Sequence, residues 1–168
     1  MSDFIPLTGS VYLASRYSRN DELRGVRDVL EAICQVTITS RWIDNDAYGH
    51  INNVRYYEFF DTVVNGYLIA QGALDIAGGA VIGLVVETHC NYFKPIAFPD
   101  CVRAGLKVAH LGTSSVRYEV GIFRQADDTA CAQGHFVHVY VDRASGRPVP
   151  LPDALKAATE EHRARMTA

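Results

Sequence analysis

No stretch of this chain approaches the roughly 20 apolar residues that a helix needs to cross a bilayer. The first residues also lack the charged-then-apolar run of an export signal, so a cytoplasmic location is expected. Basic residues are not in excess: the formal net charge is −3 and the pI is near 6.0. Nucleic acids and membrane surfaces both call for a basic face, so neither is an expected partner, although a local basic patch for a phosphorylated ligand remains compatible. Low-complexity tracts and internal repeats are absent, and with 48 % apolar residues this argues against disorder over most of the chain. Cysteine is sparse. Cys34, Cys90, Cys101 and Cys131 are scattered through strand-like segments without Cys-x-x-Cys spacing, a pattern of buried reduced thiols rather than of zinc or disulfides. Metal spacing is missing among the histidines too. His89, His135 and His138 lie in strands and read as satisfied core or edge residues, so no metal is expected.

What is present is a chain of 168 residues, suited to one domain with a real core. Residues 1–32 form a polar, arginine-dotted N-terminal arm with a weak helix around Asp21 to Glu31, to which no chemistry is assigned. From Cys34 to Trp42 the period is two, with Cys34, Val36, Ile38, Ser40 and Trp42 on one face, as in a half-buried strand. From Asn53 to Gln71 the period becomes helical. Arg55, Glu58, Asp61 or Thr62, and Asn65 make a narrow polar stripe, and the remainder is almost wholly apolar, so other elements must wrap this helix on most sides. Gly66 within it can permit close approach of a strand, and Gly72 can end it. Four strand-like runs follow, Val81 to Phe93, Cys101 to Leu111, Ser115 to Gln125 and Ala130 to Arg143, joined by short turns that suit antiparallel neighbours. A loop to Pro152 and a terminal helix to about Arg165 complete the chain. Strand, long buried helix, then four strands predicts an α+β domain over residues 33–151, a five-stranded antiparallel sheet curled around one central helix, with residues 152–168 as a C-terminal helix and tail.

Residues 44–56 carry the chemistry. Asp44, Asp46, Gly49, His50, Asn52, Asn53 and Tyr56 put carboxylates, a tight turn, an imidazole and a helix start within one short window. Together they meet the pattern Asp-x-Asp-x-x-Gly-His-x-Asn-Asn-x-x-Tyr, and the chain resembles the hotdog-fold acyl-CoA thioesterases of the 4-hydroxybenzoyl-CoA thioesterase-like family. The resemblance extends from about Cys34 to Leu151, but only this window is specific. It implies the hotdog fold, hydrolysis of an acyl thioester to free acid and CoA thiol, no cofactor beyond the CoA of the substrate, and a homodimer or homotetramer with sites along the interface. Carried over residue by residue, it makes Asp46 the catalytic carboxylate, as base or nucleophile, and favours it over Asp44. A backbone N–H near Asn53 becomes the oxyanion donor, and His50 part of the active site.

Each assignment has a plainer alternative. Aspartates often cap turns, Asn52 or Asn53 can be an ordinary N-cap, and His50 can simply hold the loop. Tyr56 sits on the buried helix, where packing is its expected job. Tyr48 stands where the plant carrier-protein thioesterases have Asn, so their fuller catalytic set does not transfer. Tyr48, Gly49 and Asn52 are candidates to touch substrate. Thr113, Ser114 and Ser115, after Gly112, resemble a turn that approaches the pantetheine arm, and form a plain hairpin turn otherwise. Lys94, Arg103, Lys107, Arg117 and Arg124 can neutralise CoA phosphates or simply be solvated surface charges. The hydratase blocks Gly-Asp-x-Asn-Pro-x-His and His-Phe-Pro-Gly are absent. The competing readings are a non-catalytic acyl-CoA-binding hotdog protein and a thioesterase acting on acyl carrier protein.

Overall fold

In the computed structural model, residues 34–125, 127 and 129–166 are described; the expected N-terminal arm lies outside them. Strand β1, Cys34–Thr39, ends earlier than its alternation suggests. The Asp44 carboxylate captures the backbone N–H of Arg41 at 2.7 Å and turns Trp42–Asp44 into a single 3₁₀ turn. Trp42, expected to share the inward face, is therefore 81 % exposed. Helix α1, Asn53–Ala70, follows; then β2, Val81–Tyr92; β3, Cys101–Leu111; β4, Ser115–Arg124; β5, Ala130–Asp142; and helix α2, Asp153–Met166.

The strands form one antiparallel sheet in the order β1-β3-β4-β5-β2. Successive β3, β4 and β5 are neighbours, as their short turns require, while β1 and β2, separated by α1, take the two edges. Helix α1 lies against one face. Tyr56, Phe59, Phe60, Val63, Val64, Tyr67 and Leu68 are buried there against Ala104, Leu106, Tyr118, Val120 and Phe136. Phe60 meets Phe136 edge-on at 5.5 Å between centroids, and the Tyr118 and Tyr140 hydroxyls are joined at 2.8 Å beneath.

The close approach of helix to sheet occurs at Gly134 and not at Gly66. A Cβ on Gly134 would meet Phe60 Cε2 at 2.5 Å and collide with the His89 carbonyl, whereas Gly66 is exposed with open space where a Cβ would stand. The polar stripe of the sequence faces outward as expected, joined by Val54 at the helix start, which is also exposed. Helix α2 packs beside β3 and buries Leu155, Ala158 and Thr159, and the Tyr67 hydroxyl of α1 donates to the Ala158 carbonyl at 2.9 Å.

Strand β2 is different in kind. It is an edge strand, and Leu84, Val85, Val86, Glu87, Thr88 and His89 are all exposed. Three consecutive exposed aliphatic residues on an unpaired edge form an apolar template for another strand.

Candidate active site

The loop between β1 and α1 is built around Asp44, which is 1 % exposed. Arg41 grips it through the backbone N–H and through Nη2 at 2.8 Å, and Arg55 Nε, one turn into α1, stands 3.6 Å from the same oxygen. Burial pushes this carboxyl up, but the Arg41 hydrogen bonds and the charges of Arg41 and Arg55 outweigh it and hold it below the usual carboxylate range. Glu58 pairs with both arginines and completes the network. The Asp44 carbonyl also accepts from the Asn52 N–H at 2.8 Å. One buried acid thus ties the entrance of the loop to its exit and to the first turn of α1. Sequence reasoning assigns no role to Arg41 or Arg55 at this loop. The available signal is their position flanking the Asp-x-Asp pair.

Residues 45–51 close on themselves through a bridge between Asn45 and Ile51. The Asp46 N–H donates to the His50 carbonyl at 2.8 Å and the Gly49 N–H to the Asp46 carbonyl at 3.1 Å. Gly49 has φ 81°, in the left-handed region that a side chain disfavours, which is the tight turn expected of it. Asp46 Oδ1 accepts from the backbone N–H of Tyr48 at 2.8 Å and, at 3.4 Å, from that of His50. Oδ2 accepts no hydrogen bond from the described residues. Capping the turn and presenting an oxygen are therefore compatible in one side chain: one oxygen fixes the carboxylate and the other is without a described partner. The loop is lashed to the β2–β3 connection, with Ile51 N–H donating to the Ile96 carbonyl at 2.7 Å and Phe98 N–H to Asn45 Oδ1 at 3.0 Å.

Asn52 is the N-cap of α1, its side chain accepting from Val54 N–H at 3.1 Å. Asn53 is the first helical residue; its N–H has no acceptor among the described residues and lies at the positive end of the helix dipole. The Tyr92 hydroxyl donates to the Asn53 carbonyl at 3.3 Å, a contact from β2 that the sequence did not announce. Tyr56 is buried against Tyr92 with ring centroids 5.0 Å apart, and packs as expected. Trp42, Ile43, Tyr48, Val54 and Phe98 leave exposed apolar surface around the loop, and Trp42 meets Phe98 edge-on at 6.0 Å.

Asp46, Tyr48, Gly49, His50, Asn52 and Asn53 are thus brought together at one end of the sheet. Lys94 joins that end through the β2–β3 connection, its ammonium 3.3 Å from Asp127. Thr113, Ser114 and Ser115 do not join it. They lie in the β3–β4 turn and, for Ser115, at the first residue of β4, across the 11 residues of β3, a separation of about 35 Å. The Thr113, Ser114 and Ser115 carbonyls accept from Leu151, Tyr140 and Gly112 N–H groups of the same chain.

Among the described residues no three His, Cys, Asp or Glu side chains are placed to hold a metal. Cys90, Cys101 and Cys131 are free thiols, and burial pushes Cys90 up to about 11. His89 and His135 stack at 5.6 Å at the sheet edge, and His135 Nε2 meets Glu87 at 2.8 Å. His138 departs from the expectation of a satisfied core residue: it is buried, and neither ring nitrogen has a hydrogen-bond partner.

The family model of the thioesterase-like superfamily matches residues 40–159. The chain is 24 % identical over 119 residues to YsmA of Bacillus subtilis (strain 168), an uncharacterized protein, covering 71 % of this chain and 80 % of that one. Among solved structures, the PA5185 protein of Pseudomonas aeruginosa PAO1 is 52 % identical with a TM-score of 0.78, over 80 % of this chain and 94 % of the other. A thioesterase from Thermus thermophilus, crystallised with coenzyme A and Zn, is 27 % identical with a TM-score of 0.66, over 77 % and 94 % respectively. No helix among the described residues is long and apolar enough to cross a membrane.

Proposed function

The chain belongs to the thioesterase-like superfamily, with its hotdog fold, and on that footing we propose that it is an acyl-CoA thioesterase. The observation that carries the reading is the Asp46 carboxylate, held by one oxygen while the other has no partner among the described residues, on a loop that runs directly into the N–H of Asn53, which also has no described acceptor. A thioester carbonyl is electrophilic because sulfur donates poorly into it. Asp46 either attacks that carbon, expelling the thiolate and leaving an anhydride for water to open, or takes a proton from the attacking water. Both routes develop negative charge on the carbonyl oxygen, and the N–H of Asn53, with the helix dipole behind it, stabilises that charge. His50, exposed on the same loop, returns a proton to the departing thiolate.

Tyr48, Gly49 and Asn52 border the acyl thioester, and Lys94 attracts the CoA phosphates. Thr113, Ser114 and Ser115 reach the same substrate from a second copy of the chain. The support for a second copy is the exposed aliphatic edge of β2, on which two chains can pair antiparallel into one continuous sheet. That T. thermophilus thioesterase was crystallised with coenzyme A, which favours CoA as the thiol half here.

Thiol release from short, medium, long and aromatic acyl-CoAs, with the natural chain and with Asp46→Ala, tests the proposal. Turnover on at least one member, lost in a folded Asp46→Ala chain, is the expected result. Equal turnover by both chains would move the chemistry away from Asp46. No turnover on any member, with CoA still bound, would favour a non-catalytic binder, and turnover only on acyl carrier protein would change the donor.

A further inference from the structure

A second concave site lies at the opposite end of α1. It is a cavity of about 180 Å³ between the last turns of α1, the following loop, the start of β2 and the end of β5, lined among others by Asn65, Leu68, Leu74, Ile82, His138 and Arg143. Asn65 is 12 residues along α1 from Asn53, so the cavity mouth stands roughly 18 Å from the candidate oxyanion donor of the same chain. It is a separate site within the chain.

Its polar groups are arranged unevenly. Leu68, Leu74 and Ile82 give it an aliphatic side, and the rings of His138 and Tyr140 line the rest of the wall. At the rim, Arg143 is fixed by two carbonyls, Nε donating to Gly79 and Nη2 to Ile76, each at 2.8 Å. It makes no ion pair with any described residue, and the acid of the same loop, Asp75, is turned instead onto the N–H groups of Ala77 and Gly78. The Asn65 carboxamide, half-buried at the rim, has no hydrogen bond to a described residue either. An oriented guanidinium with no described carboxylate partner, over a half-open cavity wide enough for a six-membered ring, matches a carboxylate attached to a compact apolar body.

The wall of the cavity supports the same reading. Its imidazole, His138, is buried, and burial lowers its pKa to about 4, so at neutral pH Arg143 is the cation of this lining. Gly83 lets β2 pack closely on this wall, since a Cβ there would come within 3.1 Å of Tyr140 Cε1 and 3.2 Å of His138 Nδ1.

We propose that this cavity binds a small free carboxylic acid, its carboxylate on Arg143 and Asn65 and its apolar body among Leu68, Leu74 and Ile82. Such an acid is the class of product that thioester hydrolysis releases. On the thioesterase reading above, the cavity is then a site of product inhibition distinct from the Asp46 loop.

Benzoate and benzyl alcohol serve as probes on the full chain, with affinity read by calorimetry and by amide chemical shifts. Benzoate is expected to bind about tenfold more tightly than benzyl alcohol, the advantage of a charge-assisted hydrogen bond. Arg143→Gln removes that advantage, and Asn65→Phe, which plugs the mouth from a half-exposed position, removes binding of both. Equal affinity for the two probes, an unchanged benzoate affinity in either variant, or no saturable binding would each overturn the proposal.

With any acyl-CoA that is turned over, benzoate should lower the rate even at saturating substrate. Inhibition that excess substrate abolishes would place the acid at the Asp46 loop and overturn the separate site. If no acyl-CoA is hydrolysed, the thioesterase reading falls, and the binding experiment alone decides the cavity.

Discussion

The two ends of α1 handle buried polar groups in opposite ways. At the N-terminal end, the buried Asp44 is met by two guanidinium groups and a backbone N–H, and every contact serves to fix the loop that follows. At the C-terminal end, neither ring nitrogen of the buried His138 has a hydrogen-bond partner among the described residues, and the cation at the rim has no described acid beside it. A buried charge left without partners costs several kcal/mol, so a fold keeps one ionised only where it supplies them. A buried imidazole has another course, which is to give up its proton. The first end is rigid by compensation and suits positioning a reacting carboxylate. The second is uncompensated, and suits a site completed from outside.

Breaking one end without the other is the strongest way to test this contrast. Asp46→Asn should lower acyl-CoA turnover by about 10²–10⁴-fold, the range ascribed to a positioned acid or base, while leaving benzoate affinity unchanged. A variant that loses both would show that the ends are coupled.

Acidity separates the ends next. His138 is held at about 4 against an ordinary 6.5, so the unfolded chain takes up a proton there that the folded chain refuses. Stability is therefore expected to fall as pH drops from about 6.5 to about 4, by at most about 3 kcal/mol, and His138→Phe should flatten that part of the profile. Asp44 works in a lower window. Its folded carboxyl is depressed below the ordinary 3.8, so its contribution is complete above that value and is lost only as pH falls further, through the folded pKa. Urea midpoints on the two sides of pH 4 distinguish these contributions.

Between the two ends, Gly134→Ala should destabilise the sheet–helix contact by about 1–3 kcal/mol through overpacking against Phe60, as read by urea denaturation. The smallest effect is expected at the cap. Asn52→Ala should cost about 1 kcal/mol of stability, with a larger proportional loss in turnover if the cap also aims the N–H of Asn53.

Much of the fold was legible because its periodicities are clean. The alternation in Ser115–Arg124 and the narrow polar stripe of α1 each point to one burial pattern, and an almost wholly apolar helix has to be enclosed. The end of β1 was not legible, since the alternation runs on to Trp42 while a hydrogen bond from Arg41 to Asp44 redirects the chain. The close approach at Gly134 could not be told from that expected at Gly66, because neither residue carries a side chain and the register across the sheet decides between them.

At the candidate site, the local motif named the residues on one loop, but the Arg41–Asp44–Arg55 network needs the helix to return beside the strand end. The distance from Asp46 to the Thr113–Ser115 turn likewise depends on sheet order, which no local pattern contains. The cavity was hidden for the same reason: its walls come from α1, β2, β5 and two loops.

The central claim is that Asp46 and the backbone N–H of Asn53 act on the same carbonyl, and Asn53→Pro tests it most directly. Asn53 is the first helical residue, where proline is accommodated, and Asn52 at φ −59° and ψ 139° already has the extended geometry that a following proline requires. The substitution deletes one N–H and leaves the helix in place. Single-turnover thiol release should slow by about 10²–10³-fold, with helix content unchanged by circular dichroism and Asn53→Ala close to the natural rate. A natural rate in the folded Asn53→Pro chain would contradict the account.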